Sequence, residues 1–187
     1  MAVSEVALVN LALQKLGAAR ITSLSEDSRN ARSVNACYKM MRDRELRAHK
    51  WHFARKQQVL TPDTAAPAFD YSYQFTWPTD CLRVLKPRNG YVDWQLAGRK
   101  IMTNMSDTLN LDYIARITNT TLFDPTFDDG LACKIAWHCC EEITQSNQKK
   151  ADIMTEYRMA IAEARRTNAI EVSPEEFQED PWLSARR

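Results

Sequence analysis

The sequence predicts an α+β protein, mainly helical: a four-helix bundle with a central β-rich insertion and an extended C-terminal arm. Three observations predict it. Apolar residues recur at helical spacing over residues 1–56 and 120–168, which form the bundle. The period switches to alternation over residues 57–119, where prolines and turn residues gather. Residues 169–187 hold two prolines and five acidic residues, too little apolar surface for a core of their own. With 187 residues, 44% of them apolar, the chain can bury one sizeable core, or a main core with a small satellite.

The first helix is predicted from Ser4 to Leu16, with Val6, Val9, Leu13 and Leu16 on one face, Ser4 as N-cap and Gly17 as the stop. Ser25, Glu26 and Asp27 then open a second helix, whose stripe of Ala31, Val34, Tyr38 and Met41 runs on towards Trp51. In the insertion, Phe69, Tyr71, Tyr73, Phe75 and Trp77 alternate with polar residues, which places five aromatics on one face of a strand ended by Pro78. Further strands are expected over Leu82–Leu85, Tyr91–Leu96, Lys100–Thr103 and Thr108–Ile117, with tight turns at Asn89-Gly90 and Ala97-Gly98. Asp124-Pro125 caps a third helix lined by Leu131, Ile135, Cys139 and Ile143. A fourth, over Lys149–Thr167, buries Ile153, Tyr157, Ala160, Ile161 and Ala164 and carries Arg165 and Arg166 in its last turn.

Composition narrows the function. No apolar run approaches the roughly 18 to 20 residues of a membrane span, and no basic flank precedes an apolar signal core, so no membrane partner is expected and folding is expected in the cytoplasm. Five unevenly spread cysteines predict reduced thiols. A formal charge of +1 exerts no global pull on nucleic acid, and four glycines leave little for phosphate-cradling loops; neither nucleotide-binding glycine motif occurs.

The chemically suggestive clusters each have an ordinary reading. Glu45, His49 and His52 share a helical face and permit a metal site, but Arg42, Arg44, Arg47 and Lys50 crowd the same turns, favouring a solvated or interface-facing helix end. His138, Cys139 and Cys140 are consecutive and splay around a helix, so buried thiols are expected. Glu141-Glu142 and Asp128-Asp129 point about 100° apart, cannot flank one bond, and read as solvated surface. Arg42, Arg44, Arg47, Lys50, Arg55 and Lys56 against Asp43 and Glu45 leave a local charge of about +4. Arg42, Arg44, Arg47 and Lys50 are therefore candidates for facing DNA or a neighbouring subunit, beside the simpler reading of a solvated helix face. No catalytic, cofactor or metal residues are assigned.

Taken in order, Asn10 to Gly17, Ile21 to Ser28, Arg42 to Leu46, Trp51 to Arg55, Trp77 to Val84 and Phe123 to Phe127 resemble the head-to-tail adaptor family of tailed bacteriophages, also called tail tubular protein A or, in a related branch, packaged-DNA stabilisation protein. The resemblance implies a structural, non-enzymatic virion protein of the tail or neck without a cofactor. It implies a ring of twelve copies beneath the portal protein that helps retain packaged DNA, which passes through the lumen, and that attaches the tail nozzle or tail tube. The helical part and the C-terminal arm would engage the portal, and the β-rich insertion would face the tail. Phe177, Trp182 and Leu183, with Arg186 and Arg187, are the expected portal-binding residues of the arm. The alternatives are a tail-associated cell-wall hydrolase, a DNA-binding module using residues 42–56, and a head-completion protein of a long-tailed phage.

Overall fold

In the computed structural model, which describes residues 3–89 and 93–171, Ser4 opens α1 (Glu5–Leu16), its hydroxyl accepting the Ala7 N–H at 3.1 Å. Gly17 closes the helix at φ +72°, a left-handed conformation that a side chain would strain. The buried face is Leu8, Val9, Ala12, Leu13 and Leu16; of the predicted stripe, Val6 lies at its edge and is only partly buried. The connection to the next helix is clasped by one side chain. The Asn10 carboxamide donates to the Ile21 carbonyl at 2.9 Å and accepts the Ile21 N–H at 2.8 Å, as a neighbouring strand would.

α2 (Arg29–Ala48) starts later than the Ser25-Glu26-Asp27 signal predicts. Glu26 is engaged backwards, its carboxylate accepting the Thr22 N–H and hydroxyl at 2.8 and 2.9 Å, so this stretch folds as a turn and Ser28 takes the cap. The predicted stripe Ala31, Val34, Tyr38 and Met41 is buried. The helix stops at Ala48, short of Trp51, where the backbone becomes extended before a 3₁₀ turn at His52–Ala54.

Six short strands follow: β1 (Arg55–Leu60), β2 (Tyr73–Thr76), β3 (Cys81–Val84), β4 (Trp94–Ala97), β5 (Lys100–Thr103) and β6 (Leu109–Ala115). They form two antiparallel three-stranded sheets, ordered β1-β6-β3 and β2-β5-β4. Gly98, at φ +58°, turns β4 into β5 as expected. Gly90 of the expected Asn89-Gly90 turn lies outside the described residues, and the strands on either side of it, β3 and β4, belong to different sheets. Asn89 instead donates to the Thr108 carbonyl and accepts the Asn110 N–H, pinning the crossover to β6. The five-aromatic strand is also corrected. Asp70 adopts φ +67° and breaks it, so β2 keeps four residues. Only Phe75 of the five is fully buried, paired across the sheet with buried Ile101, whereas Phe69 is 76% exposed.

Asp124 caps α3 (Pro125–Thr144), accepting the Thr126 N–H at 2.8 Å, with Pro125 at the first helical position. α4 (Asn147–Glu171) outlasts its predicted span at both ends. Arg165 and Arg166 therefore precede the last turn, and residues 169–171, predicted as the start of the arm, are helical. No proline or glycine interrupts the chain before Pro174, so nothing in the sequence stops the helix earlier.

The helices gather on α3, which packs most extensively on α4, then on α1 and α2, while α1 and α2 barely touch. Gly130 permits the close approach of α4, since a Cβ there would lie 3.3 Å from Ile161 Cδ1. One apolar core runs from the helices into both sheets, taking in Leu8, Tyr38, Trp51, Phe75, Ile101, Leu111 and Phe127. Its aromatic centre is Trp51, Phe53, Phe123 and Phe127. Phe127 meets the other three rings at centroid distances of 5.0 to 5.1 Å, all edge-to-face, the geometry that ring quadrupoles favour.

Candidate functional site

The basic run on α2 is divided by the fold. Arg42, one of the residues expected to face DNA or a neighbour, is buried at 4% exposure and so cannot do either from within one subunit. Its Nε and Nη2 donate to Asp43 Oδ1 at 2.9 and 2.8 Å, and Glu5 lies 3.9 Å away. Asp43 in turn accepts Arg116 Nε at 2.7 Å. Arg55 pairs with buried Asp112 and Lys56 with Asp80. Arg44, Arg47 and Lys50 stay exposed, with Arg47 donating to the Leu82 carbonyl at 2.7 Å. Half of the apparent charge cluster is thus spent on carboxylates of its own subunit, while Arg44, Arg47 and Lys50 keep exposed side chains among the described residues.

Glu45, His49 and His52 do not converge. Glu45 points inward at 2% exposure, accepts the Tyr157 hydroxyl at 3.0 Å and lies 3.9 Å from Lys134 Nζ. Lys134 is itself buried, sits over the Tyr157 and Trp137 rings, and has its pKa lowered by burial. The two histidines go to α4. Asn168, 6% exposed, accepts the His52 N–H at 2.8 Å with His52 Nδ1 2.9 Å from the same oxygen; its amide donates to the Lys50 carbonyl and lies 3.3 Å from His49 Nε2. Burial, with Arg165, Arg83 and Lys50 nearby, lowers the His49 pKa. The cluster is a clasp between the end of α2 and the end of α4, and among the described residues no group of three or more His, Cys, Asp or Glu is placed to hold a metal ion.

All five cysteines are free and buried. Cys139 faces α2, with its Sγ 3.4 Å from Cys37 Sγ, Cys140 faces Thr144, and His138 is exposed, so the three consecutive residues do splay. Of the carboxylate pairs, Glu141 binds Lys150 and Asp129 binds Lys15. Asp128 departs from the solvated reading: it is 6% exposed, and its Oδ1 has no hydrogen-bond partner among the described residues. Burial, with Asp124 adding like charge, pushes its pKa up to about 7.

Sequence reasoning missed Lys134, Asn168, Arg99 and Arg116. Asn168 was findable, since it continues the Ile161–Ala164 buried face by four residues. The two arginines carry no such signal, because only tertiary folding brings them beside α2. Of the expected arm residues, Phe177, Trp182, Leu183, Arg186 and Arg187 lie outside the described residues.

The segments that carried the family resemblance meet one another in space. Asn10 clasps Ile21; Trp51 and Phe53 pack on Phe123 and Phe127; Arg42 and Asp43 hold Arg116 at the end of β6. Comparison with known proteins finds no match among curated proteins. The family profile described as tail tubular protein matches residues 6–130, well over half of the chain, from α1 through both sheets into α3. The chain belongs to the tail tubular protein family, structural and not enzymatic proteins of the bacteriophage tail.

Proposed function

We propose that this tail tubular protein is the head-to-tail adaptor of its phage: a ring, of twelve copies by resemblance, that sits beneath the portal, helps retain packaged DNA and carries the tail nozzle or tube. The family match is the observation that carries this reading. The exposed apolar residues support it. Met40, Met159 and Ile170 lie on the helices, and Val59, Phe69 and Leu96 on the strands and their loops. Exposed apolar residues on both the helical and the β-rich parts suit a heterologous contact, in which one face of each subunit meets a different face of the next until the rotation closes. In this reading the four helices act as one bundle on the portal side, the β-rich part faces the tail, and Phe177, Trp182, Leu183, Arg186 and Arg187 reach the portal as an arm.

Cryo-electron microscopy of the chain mixed with its portal protein tests the proposal. A continuous ring of the chain on one end of the portal is the expected image. A chain that stays monomeric and leaves portal particles bare at micromolar concentration refutes it. Truncation after Glu171 should weaken portal capture at least tenfold, and undiminished capture removes the arm from the mechanism.

A further inference from the structure

Between α2 and the two sheets lies an open cleft of about 420 Å³, lined by Arg44, Arg47, Arg99, Arg116, Asp43 and Trp77 among others. Its charge is unbalanced. The one carboxylate, Asp43, is already shared by Arg42 and Arg116. Among the described residues, the hydrogen bonds of Arg47 and Arg99 go to backbone carbonyls: Arg47 to that of Leu82, and Arg99 to those of Pro78 and Thr79 at 3.1 and 3.4 Å. A carbonyl engages one or two of a guanidinium's five N–H groups and supplies no counter-charge. Trp77 adds a second sign of an absent acceptor. Its indole N–H is buried and has no hydrogen-bond partner among the described residues, under the Arg99 guanidinium 5.4 Å from the ring centroid. The cleft is thus built for an anion that also offers apolar surface, and arginine clusters of this kind bind carboxylates in paired hydrogen bonds.

The chain itself encodes such a ligand. Residues 175–182 read Glu-Glu-Phe-Gln-Glu-Asp-Pro-Trp, four carboxylates interleaved with two aromatics. Reach is short. α4 ends at Glu171, whose carboxylate lies 3.2 Å from His52 Nδ1, just beyond the end of α2. Arg47 stands in the last turn of that helix, and Arg44 one turn further back, roughly 8 Å along the axis from His49. Four extended residues span up to about 14 Å, more than the roughly 8 Å of helix axis between His49 and Arg44.

We propose that the acidic stretch Glu175–Asp180 seats in this arginine cleft of its own subunit. The seat would fix the root of the C-terminal segment and set the direction in which Trp182, Leu183 and the terminal arginines leave the body. It stands without the portal, and its test contains none, so its failure is distinct from that of the adaptor reading.

The test places a benzophenone amino acid at position 177 of the full-length chain and maps photo-adducts in dilute, low-salt buffer. Adducts within one chain, on the Trp77–Leu82 or Arg44–Arg47 segments, are expected. Arg47→Glu with Arg99→Glu should cut them at least tenfold at unchanged far-ultraviolet circular dichroism. Adding arginine at positions 175, 176, 179 and 180 should restore them, a rescue that general loss of structure cannot produce. Scattered adducts, adducts between two chains, or yields indifferent to the two glutamates overturn the seat. So does a nucleic-acid pattern, in which the wild-type chain binds a short DNA duplex, the Arg47/Arg99 reversal abolishes it, and neutralising the four acids changes nothing.

Discussion

Replacing Asp128 by asparagine should remove a fall in stability that the wild-type chain undergoes between pH 5 and pH 8. Asp128 sits in the first turns of α3, where the helix N-terminus favours a negative charge. Burial and the nearby Asp124 carboxylate oppose that effect and win, holding the folded-state pKa near 7 against an ordinary value of 3.8. Between these two values the folded state keeps a proton that the unfolded chain has released. Stability from this group is therefore fully present below about pH 4 and lost as pH rises through 7. From pH 5 to the folded pKa is two units, at about 1.4 kcal/mol each, so the loss is on the order of 3 kcal/mol. Urea unfolding followed by circular dichroism at pH 5, 6, 7 and 8 measures it. His49, whose pKa is lowered, pushes in the opposite direction below pH 6.5, but it is common to both proteins and cancels in their difference. The asparagine amide adds a penalty that does not vary with pH. The wild-type and D128N stabilities should thus diverge by about 3 kcal/mol in favour of the variant on going from pH 5 to pH 8. Parallel curves would refute the claim that the buried carboxyl is protonated in the fold.

Phe127→Ala empties the centre of the four-ring cluster and should cost about 3–5 kcal/mol in urea unfolding; a loss below 1 kcal/mol would mean the rings bear no shared load. Asn10→Ala leaves the Ile21 backbone N–H and carbonyl without partners and should cost about 1–3 kcal/mol, with faster amide exchange over residues 18–24 as its local signature. Glu45→Gln strands the Lys134 ammonium in the interior and should cost about 3–5 kcal/mol, of which at least half returns in the double variant with Lys134→Met. Additive losses in that double variant would show that the two groups do not interact.

Local rules made most elements legible before any tertiary information. Ser4 and Gly17 bound α1, Asp124-Pro125 starts α3, and Gly98 turns β4 into β5, because each is set by a neighbour within a few residues. The failures share a cause. Glu26 reads as a helix opener, yet its carboxylate is engaged by Thr22; Phe69 to Trp77 reads as one strand until Asp70 takes a left-handed conformation; Asn89-Gly90 reads as a hairpin though its flanking strands join different sheets. In each case something the local pattern does not carry decides: a side chain engaged four residues back, a backbone conformation, or the pairing of the sheets. The candidate site was less legible for a related reason. Spacing on a helix tells which residues share a face but not what the face meets, so Arg42 and Arg44 looked alike although one is buried against Asp43 and the other exposed.

The same distinction separates what makes this chain a member of its family from what it does there. The recognisable segments turn inward: Asn10 on Ile21, the four rings on one another, Arg42 and Asp43 on Arg116, Glu45 on Tyr157. They are the contacts that let a small two-sheet insert and a helical body share one core, and changing them should cost stability first. The profile match ends at residue 130, so α4 lies outside it. Yet α4 is tied to the matched part by polar contacts, through Lys15–Glu156 along its length and Asn168 at its finish. Those ties hold the last described turn of α4 against the segment that follows α2. Substitutions at the exposed Arg44, Arg47 or Arg99 should therefore change assembly at nearly constant melting temperature, whereas substitutions in the inward motifs should lower the melting temperature and impair assembly only in proportion.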